Sequence, residues 1–254
     1  MNIKTHTKAL SASLDSTDVE KFSELAEEWW NPDGPFKPLH VINPMRLKFI
    51  RECCSDHFSL KSTARTPFNS LTILDIGCGG GLLTEPLSRL GGEVTGLDAS
   101  EESIRVARSH ALSLSLSSNY VQGTAEELAE KGREFDLIVN MEVIEHVADL
   151  DSFFKACRSL LDKGGLMLFS TINRTAESYL KAIVAGEYIL RWLPRGTHDW
   201  RKFKKPSEVK RSLEKAGFEL TSLQGFGLAM PSGRWQLNHN LNVNYFGIAR
   251  PISR

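Results

Sequence analysis

The stretch "ILDIGCGGGLLTEPLSRLGGEVTGLD", Ile73 to Asp98, constrains this chain more than any other. An apolar run rich in strand-forming residues ends in clustered glycines, a helical pattern follows, and a second apolar run closes on an acid. Glycines where a strand turns into a helix let the backbone approach a ligand, and the helix offers its unpaired amino-terminal N–H groups at the same place. Asp98, 21 positions after Gly77, ends the second strand, where a carboxylate can accept hydrogen bonds from both ribose hydroxyls. A single glycine-rich turn is often only a tight connection; here strand, loop, helix and distant acid all occur in register. The dinucleotide fingerprint needs Gly or Ala at the sixth place of G-x-G-x-x-G. Counted from Gly77 that place is Leu82, which disfavours a nicotinamide cofactor.

The alternation continues beyond Asp98. The strands "NYVQG", "FDLIVNM" and "GLMLFSTI" are separated by the helical patterns "AEELAEKG" and "DLDSFFKACRSLLDKG". Such alternation calls for a sheet covered on both faces. The expectation is an α/β, Rossmann-like, doubly wound fold with a mostly parallel seven-stranded sheet, whose last strand, "NVNYFGIAR", is antiparallel. A single domain spans 1–254: a mobile lead-in over 1–17, a helical cap over 18–70, and a core over 71–254 with a lid insertion at about 174–206. In the cap, "DVEKFSELAEEWW" reads as an amphipathic helix capped by Ser16, Thr17 or Asp18. A second helix is expected behind Asn43, with Pro44 at its first position.

Composition excludes several classes. Thirty-one basic residues balance 31 acidic ones, against broad electrostatic binding to nucleic acid. Cys53, Cys54, Cys78 and Cys157 show no metal-ligand spacing, and an adjacent pair is a poor start for a disulfide framework, so a reducing compartment is expected. The amino-terminal stretch is a weak targeting candidate, and no apolar run approaches the ~20 residues of a membrane-spanning helix.

A second chemical cluster lies in "NMEVIEHVAD", Asn140 to Asp149. If a helix begins near Glu142, then Glu142, Glu145 and His146 occupy i, i+3 and i+4 on one face. They would lie at the strand edge where open α/β sheets bind ligands. Two carboxylates suit magnesium, while the imidazole would equally suit zinc, manganese or iron. Acids in a helix's first turn are also favoured by its dipole alone, and in a metal-free site His146 itself would be the general base. On the residues alone these readings stay open.

Asp75-x-Gly77-x-Gly79-x-Gly81 resembles the first motif of class I S-adenosylmethionine-dependent methyltransferases. That resemblance implies that Gly77 and its neighbours face the methionine part of the cofactor, Asp98 the ribose and Met141 the adenine side. The segment Gly123 to Leu128 would lie near the adenine, or form an ordinary loop and helix cap. The stretches "WWNPDGPFKPLHVINPMRL", "MEVIEHVAD", "STINRT" and "AGEYILRWLPRGTHDWRKFKKP" are similar to the ubiquinone biosynthesis O-methyltransferase family, from about Phe22 to the final strand. Membership would imply methylation of a catechol-type hydroxyl on polyprenylated intermediates, at one or both O-methylations of the pathway. It would place Arg46 on the cofactor carboxylate and match Glu142, Glu145 and His146 to magnesium. The implied location is the cytoplasm, peripheral to the inner membrane, or the mitochondrial matrix face, within a biosynthetic complex. In the lid, an apolar stripe beside basic residues reads either as an interfacial segment for anionic lipid or as a helix packed on the domain. His198 could be a pocket base or only a hydrogen-bonding loop residue.

Overall fold

The period-two apolar runs become β1 (Thr72–Ile76), β2 (Glu93–Asp98), β3 (Asn119–Gln122), β4 (Phe135–Met141) and β5 (Leu161–Ile172). Then come β6 (Phe218–Ala229), β7 (Arg234–Asn238) and β8 (Asn244–Pro251). The computed structural model describes residues 13–61, 63–181, 199–229 and 233–252. The sheet order is β3-β2-β1-β4-β5-β8-β6-β7. Strands β1 to β5 pair in parallel, and β8 runs antiparallel between β5 and β6, so the last strand is reversed as expected. Among the described residues the sheet has eight strands, one more than the sequence suggested. The added strand, β7, is an antiparallel edge to β6 whose apolar alternation is only Trp235 and Leu237, too short a signal to stand out.

Alternate residues of the central strands serve opposite faces. Ile73, Val139 and Leu168 pack with α2 (Lys37–His57) and α3 (Thr84–Arg89), through Phe49 and Leu87. Leu74, Ile138 and Phe169 pack on the other face, where Phe154 of α6 (Leu150–Leu160) lies with α5 (Ala125–Ala129) and α8 (Pro206–Lys215). The α4 helix (Glu101–Ser113) packs beside β2 and β3. A three-residue turn, α7 (Ala176–Ser178), follows β5. This is the doubly wound arrangement, and it leaves the carboxyl edges of β1, β2 and β4 facing one cavity.

The amino-terminal region departs from expectation in three places. Order begins before residue 18: Leu14 bridges to Val147, the Ala148 N–H donates to the Ser13 carbonyl, and α1 (Ser16–Glu24) is capped by Asp15. Within the expected lead-in, Ser13 and Leu14 pair with the segment after β4, while Asp15, Ser16 and Thr17 form the cap and first turn of α1. Secondly, α1 stops at Glu24, and a short turn at Ala26–Glu28 carries the chain to Trp29 and Trp30. Thirdly, α2 starts at Lys37, with Pro38 in its first turn and Pro44 inside it. Pro44 lacks the N–H that would bond the His40 carbonyl, a real cost, but buried Ile42, Met45, Phe49 and Ile50 hold one face across it. The four cysteines are free. No helix among the described residues is long and apolar enough to cross a membrane.

Candidate active site

The glycine loop after β1 takes a path that only glycine fits at two points. Gly77 has φ +71°, and a Cβ there would sit 2.4 Å from Val143; Gly79 has φ +52°, and a Cβ would sit 2.3 Å from the Trp29 ring. Both contacts are impossible for a side chain, and both backbones are left-handed. Trp29 roofs the loop: it stacks on Phe36 at 3.7 Å, and its Nε1 donates to Ser103 Oγ. Trp30 Nε1 donates to the Gly80 carbonyl at 2.9 Å. In the sequence these tryptophans were only the apolar stripe of a helix.

Asp98 braces the loop. Its Oδ2 accepts the Gly79 N–H and its Oδ1 the Ser100 N–H, both at 2.9 Å. Each oxygen keeps a further lone pair for a ligand hydroxyl. Burial raises the Asp98 pKa against those two bonds. Asp75 is 2% exposed, accepts from Thr84 Oγ1 at 2.6 Å, and is pushed up to about 7 by burial. Arg46, 4% exposed, lies 3.7 Å through Nη2 from Glu142 Oε1, an ion pair too long to be a hydrogen bond. Its Nε and Nη2 have no hydrogen-bond partner. Burial pulls the guanidinium pKa down, and Glu142, Asp75 and Glu145 oppose that pull. A buried guanidinium with idle donors is fitted to take a ligand carboxylate.

One cavity of about 770 Å³ is lined by Arg46, Asp75, Gly77, Asp98 and Met141, and by Glu142, Glu145 and His146. Gly79 is not on its wall; its N–H is turned back to Asp98. Gly123, Thr124 and Ala125 reach the cavity, while Thr124 also forms a capping box with Glu127 for α5, so the loop-and-cap reading of that segment holds.

The acid-acid-histidine group does not sit on one helix face. Glu142 has φ +59°, and Ile144–His146 is a single tight turn, so helical spacing fails at the first residue. Each group has its own partner. Ser170 Oγ donates to Glu142 Oε1 at 2.6 Å, and Thr171 Oγ1 donates to Glu145 Oε2 at 2.7 Å. Glu145 Oε1 is buried without a partner, and burial, then the Glu142 charge, raises this carboxyl to about 8. His146 Nδ1 lies 2.9 Å from Asp18 Oδ2, and its ring meets Phe22 edge-on. Among the described residues no group of three or more His, Cys, Asp or Glu side chains is placed to hold a metal ion. The expected three-ligand set is therefore not assembled, because the backbone at Glu142 and the pull of Asp18 separate its members.

The sequence reads Asp18 only as a candidate helix cap, because it stands 128 positions before its partner His146. It is 5% exposed and also accepts from Lys202 Nζ at 2.8 Å, while Lys202 reaches Asp15 at 2.7 Å. Burial raises its pKa, but the bonds from His146 and Lys202 outweigh burial and leave it well below the usual carboxylate range. Lys202 thus joins α1 to the carboxyl-terminal part of the lid segment. His198 and the lid's apolar stripe from residue 182 on lie outside the described residues.

A family model described as a methyltransferase domain matches residues 47–223. The ubiquinone biosynthesis O-methyltransferase of Chelativorans sp. (strain BNC1) is 49% identical over 242 residues, covering 95% of this chain and 96% of that protein. The protein of the same name from Parvibaculum lavamentivorans is 48% identical over 242 residues, with the same coverage. Among solved structures, magnesium protoporphyrin IX methyltransferase from Synechocystis PCC 6803 with bound SAH superposes with TM-score 0.62 at 16% identity, covering 94% of this chain and 97% of that one. An S-adenosylmethionine-dependent methyltransferase from Clostridium acetobutylicum gives TM-score 0.59 at 17% identity, covering 92% and 99%. At those identities the structural likeness speaks for the fold.

Proposed function

The chain belongs to the ubiquinone biosynthesis O-methyltransferase family, and from that premise we propose that it moves a methyl group from S-adenosylmethionine to a catechol-type hydroxyl of a polyprenylated aromatic intermediate. The observation that carries this reading is that Arg46, a buried guanidinium with idle donors, and His146, a histidine held by a carboxylate, face one cavity. Arg46 would take the cofactor's carboxylate, with Asp75 beside it; the Gly77 turn would meet the methionine part. Gly79 would act through Asp98, which serves the ribose, and Met141 would flank the adenine.

The acceptor needs a base. A phenol of pKa ~10 is a poor nucleophile until its proton is removed. His146 meets that need: with Nδ1 bonded to the Asp18 carboxylate, the proton stays on Nδ1 and Nε2 is left to accept the acceptor's proton. The in-line displacement then forms the O–CH₃ bond as the S–CH₃ bond breaks, neutralising the sulfonium. Glu145 and Glu142 are held by Thr171 and Ser170 on the same wall.

One observation favours a second reading, in which a divalent cation assists. Two carboxylates repel across a buried site where Glu145 Oε1 has no partner, and a cation would satisfy both. Glu142 and Glu145 fit such an ion, magnesium before zinc, manganese or iron, while His146 fits poorly as a third ligand as long as Nδ1 stays on Asp18. Bound there, the ion would acidify the acceptor hydroxyl.

A turnover assay with a prenylated catechol, with and without chelator, separates these readings. Loss of activity restored by magnesium supports the cation. Full activity in excess chelator, with near-normal rates for Glu142→Ala and Glu145→Ala, removes it and leaves His146 as the base. Tight SAH binding with no turnover on any prenylated catechol would instead mark a non-catalytic organiser of a biosynthetic complex. Peripheral association with the inner membrane belongs to this reading too, supported by Tyr179 and Leu180, exposed where the lid begins. Co-sedimentation with anionic vesicles tests it.

A further inference from the structure

We propose that the acceptor's prenyl tail leaves the reacting end of the cavity between the first turns of α2 and the β6–β7 hairpin; this rests on the acceptor reading above. On α2, Leu39, Ile42, Arg46 and Phe49 follow one helix face. At the inner end that face is sealed: Phe49 stacks on Phe246 at 4.3 Å, and Phe246 stacks on Phe226 at 4.4 Å. Toward the amino end of α2 the same face opens. There Leu39 and Ile42 line the cavity together with Phe226, Leu228 and Trp235.

The hairpin register explains why these residues act together. Leu228 pairs with Trp235 and Phe226 with Leu237, so all four side chains leave the sheet on one face. Trp235 packs on Phe226 at 6.2 Å. Exposure rises outward, from 3% at Phe226 and 6% at Ile42 to 44% at Leu228. The arm is therefore a graded apolar channel that starts one helical turn from Arg46 and ends at the surface. The cofactor's polar parts are served by Arg46, Asp98 and the glycine loop, and none of them calls for a hydrocarbon wall. A branched hydrocarbon does, because each Å² of apolar surface it buries contributes about 25 cal/mol. An apolar arm continuous with the acceptor site thus selects for a tail on the acceptor itself.

The test compares kcat/KM for two catechols, one carrying a tail of several isoprene units and one carrying a single unit. The enzymes are the full chain, Leu228→Ser, Trp235→Ala, and Leu112→Ser as a surface control, Leu112 being 77% exposed on α4. The ratio of long-tail to short-tail kcat/KM should fall on the order of tenfold in each hairpin variant, the effect of losing one apolar side chain from a tail site. In Leu112→Ser it should keep the wild-type value. SAH titration by calorimetry verifies that each variant is folded, and Leu228→Ser, at an exposed position, keeps the test alive if Trp235→Ala does not fold. A ratio unchanged in Leu228→Ser overturns the proposal. So does a ratio that falls only in Tyr179→Ser or Leu180→Ser, which would route the tail along the lid. If the wild-type enzyme methylates neither catechol, the acceptor reading fails and this inference with it.

Discussion

The proposed cofactor wall draws Asp75, Gly77 and Asp98 from a single strand-loop-helix-strand unit, whereas the proposed acceptor wall joins His146 to Asp18, 128 positions upstream, and through it to Lys202 near the end of the lid segment. The first is held by short-range bonds, a carboxylate on two backbone N–H groups and a hydroxyl on Asp75. The second exists only when α1, the turn after β4 and the end of the lid segment have met. A wall built within one supersecondary unit is formed with the fold itself, while one closed by distant side chains can loosen without unfolding the core. The two should therefore fail separately, one in cofactor affinity and the other in turnover.

The widest separation is expected at His146. His146→Ala should lower kcat by on the order of 10²–10⁴-fold, with SAH affinity within a few-fold of wild type by calorimetry. A loss of less than tenfold would move proton removal to another group. Arg46→Ala should do the converse, weakening SAH by roughly 10²-fold through loss of a buried charge partner while kcat at saturating cofactor changes less. Equal losses in both quantities would mean that the walls are one unit.

Stability should report the cofactor wall through pH. Asp75 is raised by burial to about 7, so its contribution is fully present below its unfolded value of about 4 and is lost as pH rises through about 7. Denaturant melts of the cofactor-free protein should lose roughly 2–3 kcal/mol between pH 5 and pH 8 on this account, and Asp75→Asn should flatten that slope. An unchanged slope in the variant would assign the effect elsewhere. The smallest effect is expected at Asp18, where Asp18→Ala should lower kcat by about tenfold. Nε2 survives as a base, but its tautomer and aim are less well held. Weaker SAH binding in that variant, with kcat unchanged, would show that Asp18 supports the cofactor wall instead.

Much of this was legible in the chain because it is local. Period-two strands, helical stripes and the glycine turn follow from residues a few positions apart, and so the reversed last strand and the placing of Asp75, Gly77 and Asp98 agree with the structure. The edge strand β7 was not legible, since two alternating apolar residues carry little signal. The start of α2 was displaced because Pro44 reads as a boundary, whereas tertiary burial of Ile42 and Met45 carries the helix through it. The acid-acid-histidine spacing was visible, but its geometry was not. It assumed helical dihedrals at Glu142, where φ is +59° and the N–H bonds to Ser170.

The sequence by itself determined the parallel core of the sheet with its reversed last strand, its two covered faces and the wall where a glycine loop meets an acid, because backbone preference and hydrophobic period act between near neighbours. Only the tertiary structure decided what His146 touches, that Trp29 roofs the glycine loop, and that α2 and the β6–β7 hairpin leave an apolar arm between them. Those contacts join segments with no local tie, and the buried area and charge pairs that favour them exist only once the chain has closed.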